Sequence, residues 1–169
     1  MNTTQGYICS SCGEFHHDLP LSYGADAPAL WYDVPPEGRE ARTVLSADQC
    51  IVDDKYFFVL GRLEIPLLDA SKLFSWMVWV SLSEKNFDRM CELWETEGRE
   101  KEPPYFGWLS TALPCYTNTM NLKTHVHTQP VGERPLVELE PTNHPLSIEQ
   151  QKGITMARVQ EIAQCVLHG

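Results

Sequence analysis

Positive charge is scarce in this chain: 13 Lys and Arg stand against 23 Asp and Glu among 169 residues, for a net charge of −10. The basic residues are scattered and form no stripe that could follow a phosphate backbone, which argues against a nucleic-acid binder. An acidic surface keeps a protein soluble and steers basic partners toward it, so charge leaves open a protein partner with a basic surface. Long hydrophobic runs are missing too. The most apolar stretch, Leu73 to Leu82, is about half the length of a membrane-spanning helix. Met1 to Gly6 carries neither the basic patch nor the apolar stretch of a secretory signal. A soluble, cytoplasmic protein without membrane association is expected. Also absent are a phosphate-binding glycine loop, a nucleophile elbow and an H-E-x-x-H pair of histidines. Asp53 and Asp54 are adjacent and diverge, and Glu92, Glu95, Glu97 and Glu100 read as the wet face of a helix, so no acid and base pair stands out.

What is present suffices for a folded core. The apolar fraction is 43%, with five Trp, and a chain of this length suits one domain over residues 1–169. The most chemically specific segment is Cys9-Ser10-Ser11-Cys12-Gly13-Glu14-Phe15-His16-His17. Thiolates three residues apart in a tight turn face one tetrahedral ion, Gly13 supplies the positive φ that folds the backbone under it, and His16 fills a third position. The fourth ligand must come from elsewhere, and Cys50 in Ala47-Asp48-Gln49-Cys50 is the best remote candidate, with His17 or Asp48 behind it. A structural Zn2+ held by Cys9, Cys12, His16 and Cys50 is the expectation, although thiolate ligands also suit iron. No second C-x-x-C exists to complete a ribbon. A redox dithiol is disfavoured because the residues after Cys12 do not begin a helix that would lower a thiol pKa. The spacing of the six Cys is irregular, and reduced thiols are expected throughout.

Periodicity orders the rest. Tyr7-Ile8 reads as a short strand, and Pro20 to Arg42 as an irregular surface excursion rich in Pro and Gly. Lys55 to Leu67 alternates as a strand with Phe57, Val59, Leu63, Ile65 and Leu67 on one face. Leu73 to Val80 is apolar on both faces, as a strand covered on two sides would be, and pairs antiparallel with it. Ser83 caps a helix with Phe87, Met90, Cys91 and Trp94 on one face, stopped by Gly98. Strands follow at Tyr105 to Ala112, Leu122 to Thr128 and Leu136 to Leu139. Ser147 and Gln150 resemble a capping box, and Met156, Val159, Ile162, Ala163 and Val166 mark a terminal helix. The predicted fold is α+β, an antiparallel sheet packed with two main helices, with a metal-knuckle appendage over 1–20 and an α+β core over 43–169.

Other reactive side chains have ordinary explanations. His125 and His127 project from one strand face beside Lys123, as a solvated strand does, though two imidazoles there could also meet a metal. His144 stands before Pro145 at a helix start, where its ring can bond turn backbone. Cys91 and Cys165 read as small hydrophobes on helix faces, and Cys115 has no local base. Tyr105-Phe106-Gly107-Trp108 could line a groove, but core packing is the commoner use of such aromatics.

Several segments together carry a resemblance: Cys9 to His16 with Leu19-Pro20, Asp48 to Asp53, Phe57 to Gly61, Trp79 to Ser83, Phe106 to Leu109, His144 to Leu146 and Gly153-Ile154. Across nearly the whole chain this pattern resembles the bacterial domain-of-unknown-function family numbered 2199. The resemblance implies a prokaryotic, single-domain, uncharacterised protein and brings no established activity. Its pattern often has a basic residue where Leu60 stands here, and it makes Cys9, Cys12, His16 and Cys50 a natural set to test. The function expected is a zinc-stabilised binding or regulatory module, of the kind an immunity-type protein would be. The alternative is a metal-dependent hydrolase with an open zinc site, built on Cys9, Cys12 and His16 or on the His125 and His127 pair.

Overall fold

A computed structural model describes residues 6–9, 12–16 and 19–168. A two-stranded ribbon comes first, β1 (Tyr7–Ile8) antiparallel to β2 (Phe15–His16). Next come β3 (Ser22–Gly24), helix α1 (Ala29–Asp33), α2 (Arg39–Arg42), β4 (Thr43–Leu45) and β5 (Gln49–Val52). Two long strands follow, β6 (Tyr56–Pro66) and β7 (Leu73–Leu82), then α3 (Glu84–Glu92). The chain ends with β8 (Tyr105–Leu109), β9 (Lys123–His127), β10 (Leu136–Leu139), α4 (Pro145–Lys152) and α5 (Met156–His168).

The expected antiparallel sheet packed against two main helices is overturned: β6, β7, β8, β9 and β10 close into a five-stranded barrel. Each neighbouring pair is antiparallel except the seam, where β10 meets β6 in parallel at Leu136 and Arg62. Closure is possible because β6 and β7 each change partners along their length. β6 pairs with β5 through Tyr56 to Val59 and with β10 farther on, and β7 pairs with β3 at Ser75 to Met77 and with β8 at Val80 to Leu82. A sheet closed on itself fills its interior with its own side chains. Val59, Leu63 and Ile65 of β6 meet Phe74, Trp76, Val78 and Val80 of β7 in the main core cluster, which Phe87 and Met90 of α3, Leu146 of α4 and the buried face of α5 complete.

Gly61 makes the seam possible. A Cβ at this position would come 2.6 Å from Val137 Cγ2 and 3.0 Å from the Pro135 carbonyl, closer than real side chains approach. The Arg62 amide beside it donates to that same carbonyl at 2.8 Å.

The outer faces of β6 and β7 explain why both sides of Leu73 to Val80 are apolar. Phe58, Leu60 and Trp79 form a second core cluster with Cys50, Val52 and Val34. The segment 25–34 covers that cluster, with Leu30 and Trp31 packed against it and Trp79 Nε1 donating to the Ala25 carbonyl at 2.9 Å. The Pro-rich stretch is therefore a lid of short helices over a real apolar surface, where sequence reading expects an irregular excursion.

The helix after β7 begins as expected, with the Asn86 amide donating to Ser83 Oγ at 3.1 Å, but it ends at Glu92. Phe87 and Met90 are buried, whereas Cys91 and Trp94 are exposed and the expected four-residue apolar face is only half realised. Beyond it Gly98, at φ +83°, turns the chain into a 3-10 turn at Arg99–Lys101. Arg99 is buried and donates to four backbone carbonyls, those of Trp94, Gln129, Pro130 and Glu133, at 2.8 to 3.1 Å. It thereby pins the loop 129–133 to the end of α3. The cap of α4 is His144, not the expected Ser147: the Leu146 amide donates to His144 Nδ1 at 3.1 Å, while Nε2 lies 3.1 and 3.0 Å from the Thr117 and Asn118 carbonyls. Ser147 instead sits inside the helix and donates to the Glu140 carbonyl at 3.2 Å. Val159, Ile162 and Ala163 of α5 join the main core, and Val166 faces solvent. No helix among the described residues is long and apolar enough to cross a membrane.

Candidate metal centre

The ribbon β1–β2 is short, and its turn is closed by backbone bonds at both ends. Cys9 N donates to the Glu14 carbonyl at 2.9 Å, and Gly13 N donates to the Cys9 carbonyl at 2.8 Å. Gly13 stands at φ +74°, the left-handed conformation that a residue with a Cβ resists. This geometry turns both thiols and the His16 ring to one side, with Cys12 Sγ 3.4 Å from His16 Nε2. The fourth donor arrives from the other end of the chain. His168, in the last turn of α5, brings its imidazole beside that of His16, the ring centroids 6.4 Å apart. One donor atom each from Cys9, Cys12, His16 and His168 lies within 4.8 Å of all the others.

Two thiolates and two imidazoles are a donor set that zinc accepts. Bond lengths of about 2.3 Å to sulfur and about 2.0–2.1 Å to nitrogen fit the donors around one centre after a contraction of about 1 Å. Burial grades across the group: Cys9 is fully buried in the main core, His16 is half-buried, and Cys12 and His168 are exposed. Tyr7 forms the floor, its ring stacked on that of His16 at 5.3 Å. Its pKa is raised by burial first and by the negative charge of the Cys9 and Cys12 thiolates second.

Three of the four residues singled out from sequence, Cys9, Cys12 and His16, thus lie together. Cys50 does not lie with them. It is fully buried in the second cluster, and burial pushes its thiol up to about 11, so it remains protonated at neutral pH. His17 lies outside the described residues, and Asp48 accepts from Arg134 Nε at 2.8 Å. His125 and His127 stay apart from the group, each beside a carboxylate of β10 or the residue after it: Glu140 at 3.1 Å and Glu138 at 3.4 Å. No local pattern in the sequence ties residue 168 to the knuckle. The one available signal is a His at the end of an amphipathic helix.

The expectation of six reduced thiols is also corrected. Cys115 and Cys165 form a disulfide, with their Cα atoms 6.0 Å apart, leaving Cys9, Cys12, Cys50 and Cys91 as thiols. A bridge across 50 residues of sequence has no spacing signature, and it forms because α5 docks beside the loop after β8. Cys165 lies three residues before His168, so the covalent tie and the fourth donor share one helical turn.

No curated protein and no solved structure matches the chain. A family model described as an uncharacterised protein conserved in bacteria, DUF2199, matches residues 8–154, which takes in Cys9, Cys12, His16 and the whole barrel. The chain therefore belongs to this bacterial family, DUF2199.

Proposed function

We propose that the chain is a zinc-clamped binding module, in which Cys9, Cys12, His16 and His168 hold one structural Zn2+. The convergence of those four donor atoms carries the reading. Cys9, Cys12 and His16 belong to the N-terminal ribbon and its turn, with Cys9 packed in the main core, and His168 closes the terminal helix, so one ion would join the first residues of the fold to the end of α5. Metal binding of this kind contributes directly to folding free energy, because the unfolded chain has no preformed site. Four protein donors complete a tetrahedron, and a hydrolytic centre needs one position open for water, which favours the structural role. The net charge of −10, with Glu84, Asp88, Glu92, Glu95, Glu97 and Glu100 exposed along α3 and the turn after it, supports a partner with a basic surface, as an immunity-type protein would have.

Metal content of the untagged protein, measured by plasma mass spectrometry, tests the site. About one zinc per chain is expected. The pair Cys9→Ser, Cys12→Ser should lose it, His168→Gln should retain it only weakly against a chelator, and Cys50→Ser should keep it. Absorption of the Co2+-loaded protein separates four-coordinate binding from adventitious uptake. Loss of metal from Cys50→Ser with retention in His168→Gln would overturn the assignment.

A further inference from the structure

The aromatic segment Tyr105 to Trp108 divides between the two faces of the barrel wall. Tyr105 is buried in the main core, whereas Phe106 and Trp108 turn outward, 37% and 41% exposed, with their rings in edge contact at 5.1 Å. Outward positions of β6, β7 and β8 stand there in one row, Phe58 opposite Ser81 and Ser81 opposite Trp108. Two residues earlier on the same face of β7, Trp79 fills the corresponding row beside Leu60. Where Trp79 gives way to Ser81 the row loses its central ring, and a recess of about 470 Å³ opens, within the range of small-molecule sites, about 300–1,000 Å³. Tyr56 and Trp108 line it with exposed rings, Phe58 with a buried one, and Leu30 of the lid adds an aliphatic contact. None of the metal-group residues takes part.

No Asp, Glu, Lys, Arg or His lines this recess, although the chain carries a net charge of −10. The two lysines beside its walls, Lys55 over the Tyr56 ring at 5.3 Å and Lys123 in register with Trp108, do not line it. An ion placed inside would lose water without gaining a counter-charge, which selects an uncharged ligand. A sugar would bring a hydroxyl on nearly every carbon to a lining with one amide and two serine hydroxyls, and Ser110 already donates to the Trp108 carbonyl at 3.0 Å. A flat aromatic body suits exposed rings better, because ring contacts add to the apolar area they bury. Two polar side chains on the lining, the Asn121 amide and the Ser81 hydroxyl, have no partner among the described residues. The Asn121 backbone N–H donates to the Leu109 carbonyl at 2.7 Å, which fixes the turn that carries this side chain. A carboxamide offers a donor and an acceptor together, and a ligand amide answers both. We infer that this recess binds a small, neutral aromatic amide, its flat ring on Trp108 and Tyr56 in the gap over Ser81 and its amide edge on Asn121.

Acetanilide is a suitable probe, with N-cyclohexylacetamide as the puckered ring bearing the same amide, 4-acetamidobenzoate as the charged analogue and methyl glucoside as the sugar. Saturation-transfer NMR and calorimetry on the full chain should detect saturable acetanilide binding, with the cyclohexyl compound at least about fivefold weaker and the benzoate and glucoside at least about tenfold weaker. Ser81→Phe fills the gap and should abolish binding, and Trp108→Ala should weaken it about tenfold. Trp94→Ala, which removes an exposed indole lining a different cavity, should leave binding within about twofold. The comparison of the four compounds on the unaltered protein needs no variant, and the exposed Trp108 decides the residue assignment if Ser81→Phe does not fold. No saturable binding of acetanilide, equal binding of the flat and puckered rings, equal binding of the benzoate or the glucoside, or undiminished binding by Trp108→Ala or by a folded Ser81→Phe would each overturn the inference.

Discussion

Gly61 shows how much of this architecture depends on one missing side chain. The two strand segments that seal the barrel approach each other over this residue, and the atoms a methyl group would meet are Val137 Cγ2 at 2.6 Å and a backbone carbonyl at 3.0 Å. Neither can give way without opening the seam. Gly61→Ala should therefore destabilise the protein by about 1–3 kcal/mol, the usual cost of forcing extra volume into a packed contact, read as a lower urea midpoint. An unchanged midpoint would mean that the seam tolerates separation. Single residues also mark the limit of reading chemistry from sequence. Cys50 attracts attention because it is a thiol, yet its environment of Val52, Phe58, Leu60 and Trp79 suppresses the thiolate. His144 is the opposite case: placed before a proline at a helix start, it does the turn-bonding that its position suggests.

Among the elements, α5 combines three attachments. Val159, Ile162 and Ala163 anchor its first turns in the core, Cys165 ties it covalently to Cys115, and His168 brings its imidazole to the candidate metal group one turn later. Cys165→Ser should cost about 2–4 kcal/mol of stability, as removal of a bridge across a long loop commonly does. It should also weaken metal retention, because the last turn then frays away from the ribbon while the anchored turns stay in place. Chelator competition against the unaltered protein checks this, and equal retention by both would uncouple the bridge from the metal group. Local pattern located most of these elements well. The alternation in β6, the serine cap of α3 and the apolar spacing of α5 are short-range signals, and each matches an observed element. Where α3 stops was not legible, because Trp94 continues the apolar spacing although the buried face ends at Met90. Helix capping at His144 in place of Ser147 was missed for a similar reason, since the serine finds a better partner in the Glu140 carbonyl across the fold.

For the molecule as a whole, what the sequence did not disclose is closure. Every strand of the barrel has a local signature, but the seam rests on a single register pair, Leu136 with Arg62, between segments far apart in the chain. The same distance hides His168 from the knuckle and Cys165 from Cys115. Ten residue pairs in register join β6 to β7 across the short link 67–72, so this hairpin is the most local long-strand pairing in the fold. Contacts near in sequence cost the least loop entropy and form early. Pulsed hydrogen exchange during refolding should find the amides of β6 and β7 protected before those of β10, and simultaneous protection would indicate a single concerted step. The seam that closes last would also be the first to part. Its opening would free borders on β10 and β6 beyond the outer edges that the short strands β3 and β4 already present, the form in which one chain recruits another, so parting of that one short line of contacts would add to the aggregation hazard of this protein.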